Sequence, residues 1–332
     1  VDGSSPSALA DRPARGGAPR GLIHRQRSWE PFGLSDADTD HSQEFVLTGE
    51  LPTAHPLLAA GSHRFHDLQT AVDMVRETGE FIGQTHFSVP ANRTAVFFRI
   101  AVATQDISAW RTSAGRGGHA PLLTSELRVR PDKVIDGVPR ALRFSARLSI
   151  DDVPCGSGSA DVVFLPPVVH RNHRVLSLAT VLAASDGEPA VTRPADPAEV
   201  GRAHPDTVLV HGPFELTHGR LSATVRVPDG WPLPDGSAEG HVPGLVQLEA
   251  LRQTSLLAAG RMHHLATDRC TLGSLKVHFR GYAEPDLPMR CSAVVGLCAR
   301  DAEGRRLSPV TLTLAQSGRA VLEAVATVVE DL

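Results

Sequence analysis

Two regions of this chain repeat the same landmarks at a constant spacing of 176 residues, and that spacing constrains the fold more than any other feature. His55-Pro56-Leu57 is matched by Trp231-Pro232-Leu233, and Asp73-Met74-Val75-Arg76-Glu77 by Glu249-Ala250-Leu251-Arg252-Gln253. A strand-like run ending in Phe-Arg follows each, Val96 to Arg99 and Val277 to Arg280, at a slightly larger offset that a short loop insertion explains. The chain is therefore read as one unit present twice. Ser185 to Pro205, dense in Pro, Asp and Glu between two apolar regions, suits an interdomain linker. The expected organisation is a first domain at 21–184, a linker at 185–205 and a second domain at 206–332. Residues 1–20 have no apolar period, cannot offset their ordering entropy by burial, and are expected to be disordered.

Within each half the pattern is a strand, one long apolar helix, then several alternating strands. The late strands are read at Val96–Ala103, Glu126–Arg130, Ala141–Ile150 and Ala160–Leu165, and again at Leu221–Val227, Leu275–Phe279, Ser292–Cys298 and Val310–Ala315. One helix facing about five antiparallel strands is an α+β layer arrangement with the sheet wrapped around a buried helix. The expectation is a double hotdog, two tandem hotdog domains.

The composition narrows the function classes. Lys+Arg 33 against Asp+Glu 37, with no dense cationic block, argues against a nucleic-acid footprint. No apolar run approaches the roughly 20 residues that span a bilayer, and the first residues lack a signal-peptide core, so no membrane association and a cytoplasmic location are expected. Cys155, Cys270, Cys291 and Cys298 are scattered without a CxxC pair and are read as reduced thiols. Lys133 and Lys276 are the only lysines, so an anion site must use arginine.

The second helix, roughly Pro243 to His263, is apolar around nearly its whole circumference, which marks it as buried. Glu249, Arg252 and Gln253 share one of its faces, in an environment that is expensive unless they are paired or used. The first helix repeats the arrangement with Asp73, Arg76 and Glu77, and both charged faces are expected to converge on one cleft at the seam. The bland alternative is a structural ion pair between Glu249 and Arg252. His55 and His241 stand upstream of their helices as possible bases. His263-His264 and His170-x-x-His173 lack further ligands, so no metal is expected. The loop Ser113 to His119 does not match a phosphate loop, and no Gly-x-Ser-x-Gly elbow is present, so no nucleotide or other cofactor is expected.

These residues resemble the A-factor biosynthesis (AfsA-like) γ-butyrolactone synthases, duplicated-hotdog proteins. The likeness runs through Leu22-Ile23-His24, Ala54-His55-Pro56, Val72 to Glu77 and His86-Phe87-x-Val89-Pro90. It continues in His241-Val242-Pro243-Gly244, Glu249 to Gln253, and Phe279-x-x-Tyr282-Ala283-Glu284-x-Asp286-x-Pro288. Three departures stand out: Asp73-x-x-Arg76-Glu77 where the family has Glu-x-x-Arg-Gln, Trp231-Pro232 for His-Pro, and Gly240-His241 for Asp-His.

The resemblance implies an acyltransferase that joins a β-ketoacyl acyl-carrier-protein thioester to dihydroxyacetone phosphate, giving an ester that cyclises to a butenolide phosphate. On that implication Glu249, or Asp73, serves as general base if burial raises its pKa, with Glu249 favoured. Arg252 then holds the phosphate, aided by Gln253, Arg76, His241 and His55, and a backbone N–H near Gly244 holds the oxyanion. The alternatives are a hotdog dehydratase or thioesterase using His241 or His55 with Glu249, and a non-catalytic acyl-binding scaffold.

Overall fold

The computed structural model describes residues 23–28, 42–51, 64–112, 120–183, 192–227, 240–285 and 287–332. Residues 1–20, His55, the Ser113 to His119 loop and Trp231 lie outside the described residues.

In the first half, strands β1 (Ile23–Ser28) and β2 (Gln43–Glu50) lead to helix α1 (Gln69–His86), then β3 (Thr94–Thr104), β4 (Leu122–Ile135), β5 (Val138–Ile150) and β6 (Val153–Leu165). Helix α2 (Pro167–Ala183) follows, with the short strand β7 (Arg193–Pro194) after it. The second half runs β8 (Val210–Thr217), β9 (Arg220–Val225), helix α3 (Gly244–His263), β10 (Cys270–Phe279), β11 (Met289–Val295), β12 (Ala299–Arg300), β13 (Arg306–Gln316) and β14 (Arg319–Glu330).

All pairings are antiparallel, and the sheet order is β1-β2-β4-β5-β6-β3-β10-β14-β13-β11-β9-β8-β7, with β12 beside β13. The path β2-β4-β5-β6-β3 of the first half repeats as β9-β11-β13-β14-β10 in the second. The halves join where β3 pairs with β10, from Ala103 opposite Ser274 to Arg99 opposite His278. This is the double hotdog, α+β, with each sheet wrapped on its own helix.

The repeat spacing governs the geometry closely. Thr94 opens β3 and Cys270 opens β10, again 176 residues apart. The Phe-Arg runs, however, are not structural equivalents. A bulge interrupts the β3 and β6 pairing at Phe98, and the corresponding bulge between β10 and β14 falls at Gly273. The shared bulge, not the shared dipeptide, marks the equivalent positions.

Helix α3 is buried all round from Leu245 to Ala259, as its apolar circumference requires. Helix α1 buries Ala71, Val72, Met74, Val75 and Ile82 against the first half of the sheet. It sits so close that a Cβ on Gly83 would come within 2.6 Å of the Phe164 ring, so glycine sets the helix-to-sheet distance there. The expectation of one helix per half is corrected by α2, which starts at Pro167 and keeps Val168, Val175 and Leu176 exposed.

Part of the segment expected as a linker packs into the molecule instead. Asp196 caps a short turn over Pro197–Val200, Val200 is buried, and Gly201 turns the chain at φ +62° so that Arg202 enters the interior at 4% exposure. A Cβ on Gly201 would lie 3.1 Å from Leu256 Cδ1 and 3.3 Å from Arg252 Nη1, which excludes other residues on steric and backbone grounds together.

Candidate active site

The two charged helix faces do not meet in one cleft; they open on two separate cavities related by the repeat. The first, of about 480 Å³, lies between α1, the start of β3, the start of α3 and the end of β10. Its wall includes Val72 and Arg76 from α1, Arg93 to Phe97, His241, Pro243, Gly244 and Leu245 at the head of α3, then Phe279 and Tyr282. The second, of about 450 Å³, has the equivalent position at the head of α1, with Arg64, Phe65 and Asp67, Arg252 of α3, and Cys270 and Thr271 at the start of β10.

Glu249 belongs to neither wall. It is fully buried, and Arg202 grips it with Nε to Oε1 at 2.8 Å and Nη2 to Oε2 at 2.6 Å. Arg252 donates Nε to Oε2 at 3.0 Å and Nη2 to Oε1 at 3.1 Å, while Gln253 and Gln69 each add an amide N–H at 2.6 and 3.2 Å. Burial acts most strongly on this carboxyl and by itself would raise its pKa. The charges and hydrogen bonds of Arg202 and Arg252 outweigh it and leave the value at about 2. The expected raised pKa is thereby corrected: Glu249 is an anion saturated by donors. Sequence reasoning missed Arg202 because it sits in a stretch that reads as linker.

Arg252 is equally committed. Besides Glu249 it donates to the carbonyls of Val200 and Gly201 at 3.0 and 3.3 Å, and it is 5% exposed. Gln253 is fixed between the Leu209 N–H, the Thr207 carbonyl and Glu249. The expectation that Arg252 and Gln253 share a site with His241 and Gly244 is corrected in the same way, since the structure places the two pairs at different cavities.

The equivalent pair in the first half is built more openly. Arg76 donates Nε to Asp73 Oδ1 at 2.9 Å and approaches the same oxygen with Nη2 at 2.8 Å, while its side chain keeps 37% of its surface accessible and lines the first cavity. Gln69, which donates to Glu249, is replaced at the equivalent position near Asp73 by Leu245, which has no amide to give.

His241 joins the wall from the other side. Its ring stands edge-on to Tyr282 with centroids 5.1 Å apart, and Arg174 of α2 lies 4.8 Å from the Tyr282 ring centre. Arg174 also makes a two-pronged contact with Glu284 at 2.7 and 3.1 Å and donates to the Gly240 carbonyl at 2.8 Å. Helix α2, unforeseen in the sequence, thus braces the segment that presents His241.

At the head of α3 the first intrahelical bonds run from Val246 and Gln247 to the Pro243 carbonyl, and no side chain caps the turn. The Gly244 and Leu245 N–H groups therefore precede the helical ladder, at the positive end of the helix dipole, in the cavity wall. A narrow apolar slot continues from the cavity under α1. It shares Val72, Arg76, Phe97 and Ile100 with the cavity and runs on past Leu127, Phe144, Ala146, Leu148 and Ala160.

Residues 183–329 match the family model of the A-factor biosynthesis hotdog domain. The chain is an AfsA-like protein. A 2-oxo-3-(phosphooxy)propyl 3-oxoalkanoate synthase of Streptomyces coelicolor is 27% identical over 309 residues, covering 91% of this chain and 88% of that protein. A synthase of the same name from Streptomyces griseus is 23% identical over 274 residues, covering 82% of this chain and 84% of its own. Among solved structures, the 12:0-ACP thioesterase from Umbellularia californica superposes with a TM-score of 0.50 at 10% identity, over 86% of this AfsA-like chain and 94% of its own, a likeness of fold.

Burial dominates the cysteine chemistry of this AfsA-like chain, pushing the thiols of Cys155, Cys270 and Cys291 up to about 12. Only Cys298 of the four is exposed. No helix among the described residues is long and apolar enough to cross a membrane.

Proposed function

We propose that this chain is an acyltransferase that joins a β-ketoacyl thioester, delivered on an acyl carrier protein, to dihydroxyacetone phosphate. The observation that carries the reading is the first cavity, which brings Arg76, His241 and the open start of α3 to one space at the mouth of an apolar slot. The relatives' name supports it, because a 2-oxo-3-(phosphooxy)propyl 3-oxoalkanoate is the ester of a β-keto acid with dihydroxyacetone phosphate.

In this reading the acyl chain lies in the slot under α1, and Arg76, oriented by Asp73, takes the acceptor phosphate. His241 accepts the proton of the acceptor hydroxyl as its oxygen attacks the thioester carbonyl carbon. The Gly244 and Leu245 N–H groups hold the oxyanion that forms. When the carbon–sulfur bond breaks, the proton passes from His241 to the departing thiolate, so the step needs no covalent bond to the enzyme. The base is thus His241 in place of Glu249, and the phosphate ligand Arg76 in place of Arg252.

Incubation of the purified chain with a β-ketoacyl carrier-protein thioester, with and without dihydroxyacetone phosphate, tests the proposal by mass spectrometry. Ester, or the butenolide phosphate formed from it by intramolecular aldol condensation, is expected only with the acceptor present. Free acid at the same rate without the acceptor would identify a thioesterase, and an enoyl thioester would identify a dehydratase.

A further inference from the structure

Two charges beside the first cavity have no partner. Arg93 lines its wall next to the exposed turn residues Ala91 and Asn92, and its Nη1 is buried without a hydrogen bond. Arg140, the third residue of β5, buries its Nε in the same condition. Strand β6 alone separates their strands, with Leu165 opposite Thr94 on one side and Val163 opposite Ala141 on the other, so both arginines stand at one end of the sheet. Burial, and then the charge of Arg140, lower the pKa of Arg93 from its ordinary value.

Among the described residues neither guanidinium forms a hydrogen bond or an ion pair, whereas Arg76, Arg111, Arg174, Arg202 and Arg252 each hold a carboxylate. Neighbouring cations with buried, unsatisfied N–H groups are costly to a fold unless an anion meets them. Their planar forks suit phosphate oxygens.

The acyl-transfer reading, on which this inference rests, requires two phosphates near one cavity. One belongs to the acceptor and is matched by Arg76. The other is the phosphodiester of the phosphopantetheine arm, which enters from solvent while its acyl chain points inward along the slot; Arg93 stands beside the exposed turn, on that outer side. We propose that Arg93 and Arg140 bind the phosphodiester of the arm that delivers the thioester.

Calorimetric titration of the full chain with 4′-phosphopantetheine and with pantetheine tests this directly. The phosphorylated arm is expected to bind at least about tenfold more tightly, and Arg93→Ala or Arg140→Ala to erase the difference. Both variants should melt no lower than the parent chain, because each relieves repulsion between unpaired cations; Arg93→Gln serves if the alanine variant melts early.

In turnover, Arg93→Ala should lower by about tenfold the ratio of kcat/KM for a phosphopantetheine thioester to that for an N-acetylcysteamine thioester, which lacks the phosphate. Equal binding of the two arms by the parent chain would overturn the proposal. So would variants that weaken dihydroxyacetone phosphate binding as much as they weaken phosphopantetheine binding, since the pair would then belong to the acceptor. A chain that prefers the phosphorylated arm but forms no ester would remove the acyl-transfer reading and leave the subsite standing.

Discussion

Replacing Glu249 with glutamine separates a structural carboxylate from a catalytic one. The substitution keeps the shape but turns one acceptor oxygen into an NH₂ group facing Arg202 or Arg252, both almost wholly buried. Breaking a buried ion pair from one side costs about 3–5 kcal/mol, because the remaining charge is left uncompensated. The pKa gives an independent figure: a carboxyl held at about 2 instead of the ordinary 4.5 contributes about 3 kcal/mol at neutral pH.

Its folded pKa is depressed, so this stability is fully present above pH 4.5 and is lost as pH falls through the window down to about 2. Glu249→Gln should therefore lower the melting temperature near pH 7 by about 6–10 °C, taking the low end of the per-kcal shift for a chain this long. It should also flatten the acid limb of the stability curve. Scanning fluorimetry from pH 2 to 8 reads both, and ester formation per folded molecule should stay within about threefold of the parent chain. A variant that melts with the parent but loses about a hundredfold or more in kcat would refute the reasoning and return the role of base to Glu249.

Four other outcomes are expected. Arg76→Ala should raise KM for dihydroxyacetone phosphate by about tenfold or more, and Arg76→Lys should recover only part of it because the planar fork is lost, as steady-state kinetics will show. His241→Gln should lower kcat for ester formation by about 10²–10⁴-fold at unchanged melting temperature, and a silent variant would move the base elsewhere. Gly201→Ala should destabilise by about 1–2 kcal/mol through its left-handed backbone, with more added by the contacts to Leu256 and Arg252, measured by urea unfolding. Ala146→Leu should fill the slot under α1 and shift preference towards shorter acyl chains by about tenfold in kcat/KM across a series of thioesters.

The fold was legible because its signal is long-range and redundant. One spacing of 176 residues aligns both helices with the strands that follow them, and strand alternation places β3 to β6 and β9 to β13. Helix α2 was not, since its exposed Val168, Val175 and Leu176 have no amphipathic face turned to a core.

At the site, charge on a buried helix correctly marked Asp73, Arg76, Glu249 and Arg252 as unusual, but only partners in space distinguish a carboxylate at work from one held down. Arg202 lies 47 residues before Glu249 among prolines and acidic residues, and no periodicity announces it. Arg93 and Arg140 carry no motif at all; they become visible through what surrounds them.

The inequality of the two cavities has a consequence for counting. Two hotdog units related by an exact two-fold would offer two equivalent sites, each able to turn over independently. Here Arg202 inserted from the interdomain segment occupies one copy of the acid–arginine pair, so the stoichiometry falls to one acceptor per chain. A titration of dihydroxyacetone phosphate should therefore saturate at a single equivalent, and the duplicated half is left free to hold the other's geometry constant.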